Sequence, residues 1–125
     1  MALVFLSSQT ADDDSSIDFT SGIDGTYNEY LFTIVNYKPV TDSKQICFQV
    51  DTGTNTSYNQ TITSTAWTSG TNDTGSWTDL AYSAGGDQAE GTALQRLSYG
   101  GESNTIPSLT SSGELRLYAP SSSTY

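Results

Sequence analysis

Residues Glu29-Tyr30-Leu31-Phe32-Thr33-Ile34-Val35-Asn36-Tyr37 form the longest apolar and aromatic run in the chain, with β-branched side chains and neither Gly nor Pro among them. Successive side chains of a strand point to opposite faces, so Tyr30, Phe32 and Ile34 turn one way and Leu31, Val35 and Tyr37 the other. A strand apolar on both faces is expected to be buried on both, and the rest of the chain must pack on it.

The surrounding composition keeps helices out of that packing. Ser and Thr together make up about 30% of the residues, whereas ordinary domains are led by Leu, Ala and Glu. Such a chain forms strands and turns more readily than helices. Its 125 residues suit one domain with one core.

Further strands follow from period-two patterning. Ala2–Gln9 and Ile17–Thr20 read as strands joined by the acidic connection Thr10–Ser16, and a Gly-rich turn at Ser21–Thr26 precedes the central strand, which Lys38-Pro39 ends. Gln45–Asp51 alternates with Ile46, Phe48 and Val50 inward. Tyr58–Trp67 is a Thr-rich segment, and Thr68–Ser76 has the composition of an exposed loop. Leu80 and Tyr82 mark a short strand running into the turn at 84–87. At Ala89–Ser98 helical spacing competes, with strand or coil favoured. After a turn at Ser108–Gly113, Gly113–Pro120 reads as a terminal strand with Leu115, Leu117 and Ala119 inward. The pattern predicts an all-β fold, an antiparallel β-sandwich or jelly roll of about seven or more short strands with little helix. Its core is expected to hold Tyr30, Phe32, Ile34, Ile46, Phe48, Val50, Leu115 and Leu117.

Charge and chemistry narrow the function. Four basic residues against fourteen acidic ones give a net charge of −10, which repels nucleic acid and anionic membranes as partners. There is no histidine, so Ser-His, Cys-His and His-metal chemistries are excluded. The single Cys47 cannot make an intramolecular disulfide. Ala2–Leu6 is short for a secretory signal and has no basic residue before it, so folding is expected in the compartment of synthesis. No stretch reaches transmembrane length.

Four motifs remain. Asp51-Thr52-Gly53 matches the aspartic-protease signature, and one copy in a chain of this length requires a homodimer; Gln49 replaces the expected apolar neighbour, and the competing reading is a turn after a strand. Asp12-Asp13-Asp14, with Asp18 and Asp24, offers calcium-type carboxylates without the spacing of an EF-hand loop. Trp67, Trp77, Tyr58 and Tyr82 are candidates for a glycan- or partner-contacting aromatic platform, their alternative role being packing in a Leu-poor core. The Asn-X-Ser/Thr triplets at Asn55, Asn59 and Asn72 are expected by chance in such a composition. No cofactor is expected.

Ile17-Asp18-Phe19-Thr20-Ser21-Gly22-Ile23-Asp24, continuing through Tyr27–Phe32 to Tyr37-Lys38-Pro39-Val40-Thr41-Asp42, and a second block at Ser112–Ser121, resemble structural proteins of tailed bacteriophages infecting aquatic bacteria. The resemblance implies a non-enzymatic virion protein on the particle exterior, a capsid decoration protein or a tail or head fibre component, folded in the host cytoplasm. Its partners would be capsid or tail subunits and further copies of itself. The blocks of such relatives run on beyond the equivalent of Pro120, so this chain is either part of a longer one or is completed by neighbouring subunits. The alternative, from a different class, is a carbohydrate-binding β-sandwich module for host-surface glycans.

Overall fold

The computed structural model describes residues 3–53, 56–71, 74–76, 78–98 and 110–122. Its six strands are β1 (Glu29–Tyr37), β2 (Cys47–Phe48), β3 (Trp67–Thr71), β4 (Thr78–Tyr82), β5 (Gln95–Arg96) and β6 (Ser111–Tyr118). They pair antiparallel as three two-stranded sheets, β1 with β6, β2 with β5 and β3 with β4. Among the described residues there is no helix. The architecture is therefore all-β and antiparallel, in small sheets rather than one closed barrel or sandwich.

The longest ladder joins the two segments with the clearest apolar patterning. Tyr30 stands opposite Leu117, Phe32 opposite Leu115 and Ile34 opposite Gly113. Beyond Ile34 the register shifts, because Val35 and Asn36 together face the single residue Ser112. Asn36 takes a positive φ of 55° and donates its N–H to Ser112 Oγ at 3.1 Å. Asn tolerates the left-handed region better than other non-glycine residues, which suits this bulge position.

The bulge changes which face each side chain serves. Tyr37 now pairs with Ser111, so it joins the Tyr30, Phe32 and Ile34 face instead of the opposite one. Val35 is turned outward and is 68% exposed. Burial on both faces of this strand, expected from its apolar run, is thus corrected in part: on the opposite face Leu31 is half-buried while Val35 is exposed. The opposite face carries Glu29, bonded to Arg116 at 2.6 Å, and Glu114 3.5 Å from the same guanidinium. Exposed pairs of this kind contribute little to stability.

Other segments depart from their patterning. Residues 3–28 contain no strand, because neither Ala2–Gln9 nor Ile17–Thr20 finds a ladder partner; Phe19 instead packs edge-on against Phe32, with ring centroids 5.6 Å apart. Gln45–Asp51 contributes only Cys47–Phe48 to a ladder, and its side chains from Gln45 to Val50 are all half-buried rather than alternating. Thr68–Ser76, read as a loop, supplies most of β3 instead. Ala119 has a φ of +43° and is exposed, since the chain turns there. Of the expected core only Tyr30 is buried, at 4% exposure, while Phe32, Ile34, Ile46, Phe48, Val50, Leu115 and Leu117 are half-buried.

A second centre of packing is polar. From Tyr58 to Thr71 burial alternates strictly, with Tyr58, Gln60, Ile62, Ser64, Ala66, Thr68 and Gly70 on the inner side. Ile62 bridges Gly91 through reciprocal backbone bonds of 2.7 and 3.0 Å, and Ser64 N–H donates to Gln88 O at 2.9 Å. The buried residues beside this segment are Ser83, Gly86 and Gln95. The Ser64 hydroxyl donates to Gln95 Oε1 at 2.6 Å and accepts from Gln88 N–H at 2.9 Å. Gln95 Nε2 donates to Gly86 O at 2.9 Å and Arg96 O at 3.1 Å. Burying an amide is tolerable only when its hydrogen-bonding capacity is met in this way. Gly86 fits because a Cβ there would sit 3.1 Å from Ala66 Cβ and 3.2 Å from Ser83 Oγ.

Candidate functional site

The β3–β4 hairpin reverses the usual distribution of large and small side chains. Its register pairs Trp67 with Tyr82, Ser69 with Leu80 and Thr71 with Thr78 on one face, and Thr68 with Ala81 and Gly70 with Asp79 on the other. The half-buried positions are the small ones, Thr68, Gly70 and Ala81. The large apolar ones face solvent, Trp67 at 67% and Leu80 at 77% exposure. Exposed aliphatic residues scattered singly are ordinary, but several gathered on one ordered sheet face mark a contact surface.

The two aromatic rings are held as a unit. Trp67 and Tyr82 meet edge to face with centroids 5.7 Å apart and an interplanar angle of 66°, a favoured geometry for aromatic pairs. The Tyr82 hydroxyl donates to Asp87 Oδ2. That bond, together with partial desolvation and the carboxylate's charge, raises the Tyr82 phenol above its ordinary value of 10.0. Tyr82 therefore remains a neutral donor throughout the physiological range. An open groove of about 610 Å³ runs beside the pair, with Asp79 and Ser83 among its polar lining groups. The Trp67–Leu80–Tyr82 face offers an aromatic wall, an aliphatic side chain and the Asp87 carboxylate, with Asp79 on the opposite face, a combination suited to stacking and hydrogen bonding with a neutral, hydroxyl-rich or apolar partner.

Of the four aromatic residues singled out in the sequence, the structure brings together Trp67 and Tyr82. Tyr58 is separate and half-buried, with a φ of +47°, and its backbone serves the loop of Asp51. Trp77 lies outside the described residues. Leu80 and Asp87, which complete the surface, carried no sequence signal beyond the strand and turn assigned to them; their proximity depends on the hairpin register.

The Asp51-Thr52-Gly53 motif forms a loop staple. Partial desolvation pushes the Asp51 carboxyl up, but hydrogen bonds from the Tyr58, Thr52 and Ser57 amides and from the Gln60 side chain outweigh it, leaving the carboxyl below its ordinary 3.8. The distances are 2.7 Å from Tyr58 N, 2.8 Å from Thr52 N and 3.1 Å from Gln60 Nε2. Such a carboxylate organises the turn that the composition predicted. At the acidic connection, Asp14 Oδ2 accepts from Asp12 N–H at 3.1 Å. Among the described residues no group of three or more His, Cys, Asp or Glu side chains is placed to hold a metal ion.

Cys47 is half-buried opposite Arg96 in the β2–β5 ladder. Burial raises its thiol above 9.0, with Arg96 pulling the other way. No helix among the described residues is long and apolar enough to cross a membrane. Comparison with family models, curated proteins and solved structures returned no match.

Proposed function

We propose that this chain is a non-enzymatic subunit of a larger protein assembly, an exterior structural protein of a virion, of the capsid-decoration or fibre type that its Ile17–Asp42 and Ser112–Ser121 blocks resemble. The observation that carries the assembly reading is how little apolar surface the described residues bury. Among the described residues only one large apolar side chain, Tyr30, is buried, and residues such as Leu3, Phe5, Val35 and Leu80 stand in solvent. Surface of this kind is characteristic of a subunit awaiting neighbours.

On this reading the small sheets are completed by strands and apolar faces of adjoining copies, giving the closed sandwich or jelly roll that the strand pattern predicts. The acidic surface keeps the free subunit soluble in the host cytoplasm before it joins the particle exterior. The test is the mass of the purified chain by light scattering, alone and mixed with isolated particles. An oligomer or a particle-bound species supports the proposal; a monomer that ignores particles at every concentration overturns it.

A second reading, a carbohydrate-binding module for host-surface glycans, is favoured by one specific observation, the paired Trp67 and Tyr82 rings beside the groove with Asp79. Aromatic faces stack on the C–H faces of sugar rings at small entropic cost. Titration of a glycan panel followed by Trp67 emission in a Trp77→Phe background tests it; absence of saturable change across the panel removes this reading.

A further inference from the structure

Two apolar surfaces among the described residues stand uncovered. One is Leu3-Val4-Phe5-Leu6, with Leu3 at 81% and Phe5 at 79% exposure, in a stretch that belongs to no strand. Four consecutive apolar residues in an extended chain present apolar side chains on both sides, so one neighbouring surface covers half of them and a groove covers most. The other is the hairpin face of Trp67, Leu80 and Tyr82, with its adjoining groove.

Within one chain the two do not cover each other, since both are exposed. The apolar segment is instead fastened towards the β1–β6 sheet. Gln9 Nε2 donates to Asp18 O at 2.7 Å, and the following Phe19 packs on Phe32 of β1. The hairpin belongs to a different sheet.

We propose that Leu3–Leu6 of one copy lies across the Trp67–Leu80–Tyr82 face of a second copy, and that the second copy returns the same contact. This inference rests on the assembly reading above and specifies which surfaces meet. A reciprocal exchange is the closed, two-fold arrangement that satisfies both copies at once.

Charge supports a second copy as the occupant. Each chain carries −10 overall, yet residues 3–11 contain no charged side chain. Beside the hairpin face stands the Asp87 carboxylate that Tyr82 holds, which an acidic segment would meet with repulsion and this neutral one does not. Area supports it as well. The four apolar side chains expose about 500 Å² per chain, and since one face covers about half of them, a reciprocal exchange buries about 1,000 Å² over both surfaces, at the lower limit of specific interfaces.

The experiment replaces Phe5 with the photo-reactive p-benzoylphenylalanine in the full chain, mixes isotopically heavy and light copies, and maps the cross-links by mass spectrometry. A parallel sample carries Leu3→Ser with Phe5→Ser, positions whose exposure makes the fold indifferent to the change. The expected result is heavy–light cross-links ending between Trp67 and Tyr82, with about tenfold or greater weakening of self-association in the serine variant. Cross-links confined within single chains, or ending on another part of the neighbouring copy, overturn the inference. An oligomer whose mass survives the serine pair also overturns it while leaving the assembly reading intact. A wild-type chain that is monomeric throughout, with no heavy–light product, overturns both.

Discussion

Tyr30 holds Asp24 through a single hydroxyl group. Its oxygen accepts the Asp24 N–H at 3.0 Å, and its proton faces Asp24 O at 3.0 Å and Oδ1 at 3.1 Å. Asp24 Oδ1 in turn accepts Thr26 N–H at 2.8 Å. The turn before β1 is thereby pinned to Tyr30, the one large apolar side chain buried among the described residues. Tyr30→Phe keeps the ring and loses the pin, so it is expected to cost about 1 kcal/mol. Tyr30→Ala also removes the ring facing Leu117 and is expected to cost about 3–5 kcal/mol. Urea denaturation of the two variants, followed by far-UV circular dichroism, measures both differences.

Acid weakens the protein through two turn carboxylates. Hydrogen bonds from the Thr26 hydroxyl, the Thr26 amide and Tyr30 lower the Asp24 carboxyl, and the loop amides lower that of Asp51, each from an ordinary 3.8. As pH falls, the unfolded chain takes up these protons first, so the stabilisation is complete well above pH 3.8 and is lost progressively below it, through the lower folded values. Thermal unfolding between neutral pH and pH 3 is expected to show a falling midpoint. Asp51→Asn removes one of the two groups and flattens that acid limb, while lowering the neutral-pH midpoint by about a few degrees.

Gln95 tests the polar packing centre. Gln95→Leu preserves bulk but leaves the Ser64 hydroxyl without its acceptor and the Gly86 carbonyl without its donor; the expected loss is about 2–4 kcal/mol. Gly86→Ala, by contrast, keeps every hydrogen bond and presses a methyl against Ala66 and Ser83, for an expected loss of about 1–3 kcal/mol. If Gln95→Leu proved neutral or stabilising in equilibrium denaturation, this amide network would not contribute to holding the segments together.

Cys47 is expected to be a slow thiol. Its raised titration leaves less thiolate at neutral pH than a free cysteine has, and partial burial limits access. Reaction with a disulfide reagent is expected to run about tenfold more slowly than with glutathione under the same conditions. Arg96→Ala removes the charge that favours the thiolate and is expected to slow the reaction further at constant exposure.

The parts of the fold legible in the sequence are those where apolar side chains mark the strand. Glu29–Tyr37 and the Leu115 and Leu117 segment were readable in this way, and they pair with each other. The parity of Tyr37 was not, because a bulge at Val35 and Asn36 is written in the partner's register and not in the strand's own alternation. The β3 strand was hidden for a different reason: its inner positions are Thr68 and Gly70, which composition assigns to loops. Trp67 and Tyr82 could be singled out as large rings in a Leu-poor chain. Their pairing, and the contribution of Leu80 and Asp87, arise only when the hairpin closes. Asp51 shows the converse, a catalytic-looking triplet whose carboxylate is taken up by its own loop.

The polar interior around Ser64, Ser83 and Gln95 bears on how the protein meets temperature. Exposing apolar surface raises the heat capacity on unfolding and exposing amides lowers it, so described residues that bury one large apolar side chain beside a set of hydrogen-bonded amides predict a heat-capacity change below the usual value of about 12–15 cal/mol/K per residue. A small heat-capacity change makes the curve of stability against temperature broad and shallow. The folded chain then keeps nearly the same margin in cold water as in warm.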